Sequence, residues 1–235
     1  MISSTDEPVS GKRYTYNDYL KWKNRKGTYS KLGFKDEELP PGFLGVYEAP
    51  NQYQLINGEA ILFNEHPTEF YAISIQLFAE LNELLKDKGS RAFSGMDVRL
   101  FPKDDNSDDT VVSPELVVIS DRNMLSKGTQ RAWNNPIMHN GESLILGPPD
   151  LVIEIFSPSV SENELSRLYD VYLKAKVNEY WLIDPEQELV KVYVFENGIF
   201  KELEYRSNET IVSKVLHGLT IQLKTLWDAY KYTKI

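Results

Sequence analysis

Two glutamates stand where a glutamate is costly. Glu154 interrupts Leu-Val-Ile-Glu-Ile-Phe, a nearly continuous apolar run at 151–156, and Glu115 follows Pro114 at the head of Leu116-Val117-Val118-Ile119. A carboxylate in a buried strand costs several kcal/mol unless it is paired, protonated or bound to a cation. If the two runs are neighbouring strands, the acids can meet. Together they could hold Mg²⁺, which takes one or two carboxylates and keeps several waters. On the residues alone, each acid could instead pair with an arginine or cap a strand end. Asp150 lies about 13 Å from Glu154 along the same face of a regular strand, so the two cannot share one ion. Asp150 is expected to cap the far end of that strand, with Pro148-Pro149 fixing the approach of the chain.

Other chemistries are excluded by composition. The 235 residues include no cysteine, which rules out disulfides, a thiolate zinc site and a cysteine nucleophile. His66, His139 and His217 are widely separated with no HxxxH spacing, which argues against a histidine metal site. No glycine-rich phosphate loop and no nucleophile elbow occur. The net charge of −9 excludes a generally basic, nucleic-acid-coating surface, though not a local basic groove. Lys21, Lys23, Arg25 and Lys26 cluster, and read as a solvated face. The stretch MISSTDEPVS has neither the apolar core nor the basic lead-in of a targeting signal, and no window approaches a membrane span. A cytoplasmic location is the expectation.

The elements that must position the acids follow from periodicity and turn chemistry. Residues 1–12 are polar and expected to fray; Arg13–Trp22 reads as a short amphipathic helix with Thr15 as N-cap. Tyr53–Phe63 reads as two strands joined at Asn57-Gly58, and a helix after Pro67 carries Phe70, Ile73, Leu77, Leu81, Leu84 and Leu85 on one face, with Gly89 following as a C-cap. Strands are expected over Ala92–Phe101 and Val111–Ile119, flanking the solvated acidic loop KDDNSDD. Ser161-x-x-Glu164 is a capping box opening a helix to about Val177, striped by Leu165, Leu168, Tyr169 and Tyr172. A strand at Tyr180–Ile183 follows, then a hairpin of Leu189–Phe195 and Ile199–Tyr205 turning at Asn197-Gly198, then a helix over Gln222–Tyr232. Residues 23–50 and about 121–146 read as insertions lying outside the core sheet. The order is that of one α/β domain with a mixed sheet.

The segment from Gly147, with its PDLVIEIFSPS and NEYWLIDPE stretches, resembles the restriction-endonuclease family formerly called domain of unknown function 820, of the PD-(D/E)XK nuclease superfamily. The resemblance extends to RYTYNDYLKW, YQLINGEAILF, the helix after Pro67 and VVSPELVVIS. It implies a restriction-endonuclease-like mixed β-sheet flanked by α-helices. It also implies Mg²⁺- or Mn²⁺-dependent hydrolysis of DNA phosphodiesters and a homodimer placing two sites on one duplex. Glu115 and Glu154 take the positions of the family's two metal-binding acids.

The chain departs from the family pattern at several of these positions. Glu115 replaces an aspartate, Gln54 a glutamate, Asn57 an aspartate and Glu164 an aspartate; Phe70 stands where a histidine commonly opens the long helix. The family's lysine falls at Leu168, four residues before Tyr172, and the alternative lysine position is Phe156. The nearest substitute cation by sequence is Arg167, about 100° around the helix from Leu168. The candidate site is therefore Glu115, Glu154, Gln54 and Arg167. The resemblance leaves two readings, an endonuclease with a degenerate site or a nuclease-fold protein that has lost catalysis and serves as a binding module. In the second, Leu168 should pack into the core and Arg167 should face solvent.

Overall fold

The structure, a computed structural model, describes residues 8–9, 11–23, 28–30, 46–48, 53–62, 68–101, 109–120, 138–139, 142–156 and 160–233. In chain order its elements begin with α1 (Tyr16–Lys23), β1 (Thr28–Ser30), β2 (Val46–Glu48), β3 (Tyr53–Ile56), β4 (Glu59–Leu62), α2 (Thr68–Leu85), β5 (Ser90–Ser94) and β6 (Asp97–Arg99). They continue with β7 (Val111–Val112), β8 (Leu116–Ser120), β9 (Met138–His139), β10 (Glu142–Leu146), β11 (Leu151–Ile155) and α3 (Glu162–Ala175). The last are β12 (Glu179–Asp184), β13 (Leu189–Glu196), β14 (Ile199–Arg206), β15 (Thr210–Val212), β16 (Thr220–Gln222) and α4 (Leu223–Tyr232).

Two six-stranded sheets carry the fold, in the orders β14-β13-β12-β11-β8-β5 and β4-β3-β7-β6-β10-β9. In the first, β11 runs parallel to β12 and antiparallel to β8, so the sheet is mixed. A parallel pair needs a crossover, and α3 supplies it between β11 and β12. Alternation along the strands then sorts the core. Leu116, Val118, Leu151, Ile153, Trp181 and Ile183 face α2 and α4. Val117, Val152, Tyr180 and Tyr193 face the other way, against α3 and against Val98 and Val112 of the second sheet. The outer side of the second sheet, at Leu55 and Val111, is covered by Tyr16, Tyr19 and Leu20 of α1.

Two expected strands are each broken in two, and the breaks create the second sheet. The run Ala92–Phe101 divides at Gly95, whose φ of 65° only glycine adopts freely. The run Val111–Ile119 divides around Pro114, which has no N–H to give a ladder. The first half of one run and the second half of the other, β5 and β8, pair in the first sheet. The remaining halves, β6 and β7, pair in the second. Glu115 sits at the corner between the two sheets, one residue before β8.

The hairpin at Asn57-Gly58 forms as expected, with φ of 48° and 80° and strands in register from Tyr53↔Leu62 to Ile56↔Glu59. Thr15 caps α1: its Oγ1 accepts the Asp18 N–H at 3.3 Å, and Asp18 Oδ2 accepts the Thr15 N–H in return. The capping box of α3 is present in full, with Ser161 and Glu164 exchanging hydrogen bonds. That helix ends at Ala175 because Lys176 turns left-handed, two residues short of the expected Val177. The short pair β15–β16 has no counterpart in the sequence reading.

Three expectations need correction or fall outside what is described. The insertion at 121–146 does not lie wholly outside the sheets: β10, at its end, is hydrogen-bonded between β6 and β9. Its Leu144-Ile145-Leu146 is a short strand hidden behind a polar segment. The acidic loop KDDNSDD is not solvated throughout, because its last residue, Asp109, is fully buried. Of residues 23–50, the described strands β1 and β2 pair with each other in a separate two-stranded sheet; the polar N-terminus before residue 8, the SPS stretch at 157–159 and the rest of both insertions lie outside the described residues.

Candidate active site

Glu154 is the fourth residue of β11, and all five positions of that strand are buried. Register carries it opposite the start of β8: Leu151 faces Val118, Val152 faces Val117 and Ile153 faces Leu116, so Glu154 comes level with Glu115. Both side chains project to the face covered by α3. The structure thus brings the two acids together. Glu115 Oε2 accepts the Ile155 N–H at 3.1 Å, which ties it to the neighbouring strand. Glu154 Oε1 accepts the hydroxyl of Tyr172, on α3, at 2.5 Å.

Burial is the main cause of a strongly raised pKa at Glu154, and the charge and hydrogen bond of Glu115 add to it. The Tyr172 bond opposes the shift by favouring the charged form. Tyr172 is itself pushed well up, first by burial and then by Glu154. Two carboxyls in hydrogen-bond contact cannot both ionise cheaply, so the pair shares a proton unless a cation replaces it.

The acids open into a small pocket of about 50 Å³, lined also by Gln54, Glu164, Leu165 and Leu168. Gln54 reaches it from β3, where the Asn57-Gly58 hairpin packs against α3. Glu164 has its carboxylate committed to the capping box, accepting the Ser161 N–H and Oγ–H at 2.7 Å. Leu168 is 7 % exposed and packs with Val171 and Tyr172 while closing the pocket. Arg167 does not line the pocket. Its Nη1 pairs with Glu59 Oε2 at 2.8 Å, and both side chains are substantially exposed. That ion pair links α3 to β4, two walls of the pocket.

The donor set is one of hard oxygens: two carboxylates and the amide of Gln54. A pocket of about 50 Å³ accommodates an ion with a few waters, at roughly 10–15 Å³ for each. Among the described residues no three His, Cys, Asp or Glu side chains converge, so a cation here would complete its shell with water. That is the coordination Mg²⁺ or Mn²⁺ accepts. Asp150 takes no part. It accepts the Ser120 N–H at 2.7 Å and the Asn178 amide at 3.1 Å, binding together the far ends of β8 and β12.

The family model described as "Putative restriction endonuclease", Uma2, matches residues 40–224. The chain belongs to the Uma2 family. A solved structure of a "putative nuclease belonging to DUF820" from Anabaena variabilis ATCC 29413 superposes with a TM-score of 0.59 at 21 % identity, over 78 % of this chain and 93 % of that one. At that identity the likeness is one of fold, and it agrees with the expected mixed sheet flanked by helices. A comparison with curated proteins returned no match. No helix among the described residues is long and apolar enough to cross a membrane.

Two features of this Uma2 site escape the sequence reading. Tyr172 looks like one more apolar member of the α3 stripe, and its hydroxyl becomes the clamp on Glu154 only when α3 folds over β11. The Glu59–Arg167 pair joins residues 108 positions apart. The one signal for the first was the tyrosine itself, since a buried phenol needs a partner for its hydroxyl.

Proposed function

We propose that this chain is a Mg²⁺- or Mn²⁺-dependent DNA endonuclease of the Uma2 family whose site has lost the family's lysine. The reading is carried by one observation, the meeting of Glu115 and Glu154 at the head of adjacent strands in a pocket with room for a hydrated ion. A bound metal there would polarise a phosphate and lower the pKa of the attacking water. Glu115 and Glu154 would hold it. Tyr172 keeps Glu154 in place through the bond to Oε1. Gln54 offers an amide oxygen or N–H to a phosphate or a bound water. Leu168 brings no charge to the mouth of the site, so the transition state lacks the cation that a lysine supplies. Arg167 would have to leave Glu59 to reach the pocket, and its guanidinium cannot serve as a general base. The expected activity is therefore weak. DNA is the proposed partner, with two copies of the chain presenting two sites to one duplex.

The second reading, a nuclease-fold binding module without catalysis, is favoured by the packing of Leu168 with Val171 and Tyr172 and by the ion-paired state of Arg167. Calorimetric titration of Mg²⁺ and Mn²⁺ into wild type and Glu154→Ala, with plasmid cleavage by wild type and Leu168→Lys, separates the two. Metal binding lost in Glu154→Ala supports the metal site. Cleavage gained in Leu168→Lys over wild type marks a decayed nuclease. No metal heat and no cleavage by either protein leaves only the binding module.

A further inference from the structure

The pocket over the acid pair has more hydrocarbon in its walls than a hydrated ion can use. Gln54, Ile56 and Ile61 reach it from the β3–β4 hairpin, where Gln54 and Ile61 are register partners and so share a face. Leu165 and Leu168, three residues apart on α3, supply a second wall. Leu62, 45 % exposed, stands at the rim. Ordered waters around a metal need polar partners, and these apolar side chains offer none. A methylene stem would find apolar contact on both walls.

The floor of the pocket is polar and incompletely paired. Gln54 is 7 % exposed, and its side-chain amide has no hydrogen-bond partner among the described residues. A buried amide without a partner carries a desolvation cost that a ligand group would remove. Glu115 and Glu154 meet in the same pocket. The third acid of the lining, Glu164, is committed to its helix cap. Among the described residues no lysine, arginine or histidine lines the pocket, and Arg167 is held outside it by Glu59. The acid pair must therefore share its proton or take a cation from outside.

Valence and size narrow the class of that cation. The floor offers three acceptor groups, the carboxyls of Glu115 and Glu154 and the amide oxygen of Gln54. A primary ammonium carries three N–H donors and no acceptor, so it matches them one for one. A guanidinium presents its five donors in a rigid planar fork, which three groups cannot satisfy. The volume of about 50 Å³ holds about three to five water-sized groups, at roughly 10–15 Å³ for each. An ammonium on a stem of three or four carbons fills that space.

We infer that this pocket binds a primary alkylammonium, its nitrogen on Glu115, Glu154 and Gln54 and its methylene stem along Ile61, Leu165 and Leu168. The inference rests on the same meeting of acids as the metal reading, and it supplies a ligand class for the binding-module reading. Ethylamine, n-propylamine and n-butylamine, all ammonium ions at neutral pH, are titrated into the full chain in EDTA and followed by calorimetry and NMR shifts. n-Butylammonium should bind with a dissociation constant on the order of 1 mM, as expected of so small a ligand. Affinity should rise about three- to fourfold per methylene along the series. n-Butanol, with the same stem and no charge, should bind at least about tenfold more weakly than n-butylammonium. A separate titration of Mg²⁺ without EDTA tells the two readings apart. Amine binding with no Mg²⁺ heat retires the metal reading and supports this one; Mg²⁺ heat without amine binding does the reverse. If both bind, they should compete, and binding without competition overturns the shared site.

Glu154→Gln keeps the shape of the floor and removes its charge, and should weaken n-butylammonium at least about tenfold. Gln54→Leu removes the third acceptor without stranding a partner; it should weaken binding about tenfold while leaving Tm unchanged or raised. An arm with the blocked tripeptide acetyl-Gly-Lys-Gly-amide separates two sources of the ammonium. Competition of that peptide with n-butylammonium assigns the pocket to a lysine side chain of a polypeptide, and its absence assigns it to free alkylamines; the recognition chemistry is the same in both. The inference is overturned if n-butylammonium does not bind up to about 10 mM, well above the expected constant. It is overturned equally if n-butanol binds as tightly, which would leave an apolar cavity only, or if Glu154→Gln and Gln54→Leu both bind as wild type does.

Discussion

Replacing Glu154 by glutamine should make the protein more stable at neutral and alkaline pH, and the reason lies in the proton of the acid pair. The carboxyl is 5 % exposed, and burial together with Glu115 holds its pKa well above the ordinary 4.5. The folded state therefore keeps a proton that the unfolded state has released, over the whole window from about 4.5 to the raised value. Where the native state binds more protons, stability falls as pH rises. The slope for one proton is about 1.4 kcal/mol per pH unit. For a chain of this size that corresponds to about 3–5 °C in Tm per unit. Glutamine is isosteric with the protonated acid. Its oxygen can still accept from Tyr172, and its N–H can donate to Glu115 as the shared proton does. Glu154→Gln should thus match wild type near pH 5 and exceed it increasingly as pH rises from there toward the raised value. Urea unfolding of both proteins across that range reads the difference directly. Millimolar Mg²⁺ should recover stability in wild type at the alkaline end, by taking the place of the proton, and should do nothing for Glu154→Gln. Parallel pH profiles for the two proteins would refute the buried shared proton.

Tyr172→Phe removes the donor that favours the charged form of Glu154. It should cost about 0.5–1.5 kcal/mol while Glu154 keeps its proton and about 1.5–3 kcal/mol once rising pH ionises it, measured by urea unfolding carried on to alkaline pH. Arg99→Met should destabilise by about 3–5 kcal/mol. It strands the fully buried Asp109, which accepts Arg99 Nε and the Tyr16 N–H, each at 2.9 Å. Because that carboxylate also holds the start of α1, amide exchange in Tyr16–Lys23 should rise with the loss of Tm.

Much of the fold could be read from local signals, because each acts over a few residues. Both Asn-Gly turns, the Ser161–Glu164 box and the apolar run with Glu154 at its centre produce in three dimensions what they imply in one. The two acids were also recognisable as a pair, since each is a charge set against an apolar strand. What remained illegible depended on how strands share their edges. Gly95 and Pro114 each look like a minor irregularity in a strand; only when β5 pairs with β8, and β6 with β7, does each become a crossing between two sheets. Asp109 looks solvated until Arg99 arrives from β6. Tyr172 looks apolar until α3 lies over β11, and Arg167 looks available until the β3–β4 hairpin presents Glu59. A residue's type is set by the chain alone, but its partner is set by packing between segments distant in sequence. At this site, it is the partners that decide which groups carry charge, which share a proton and which can reach a ligand.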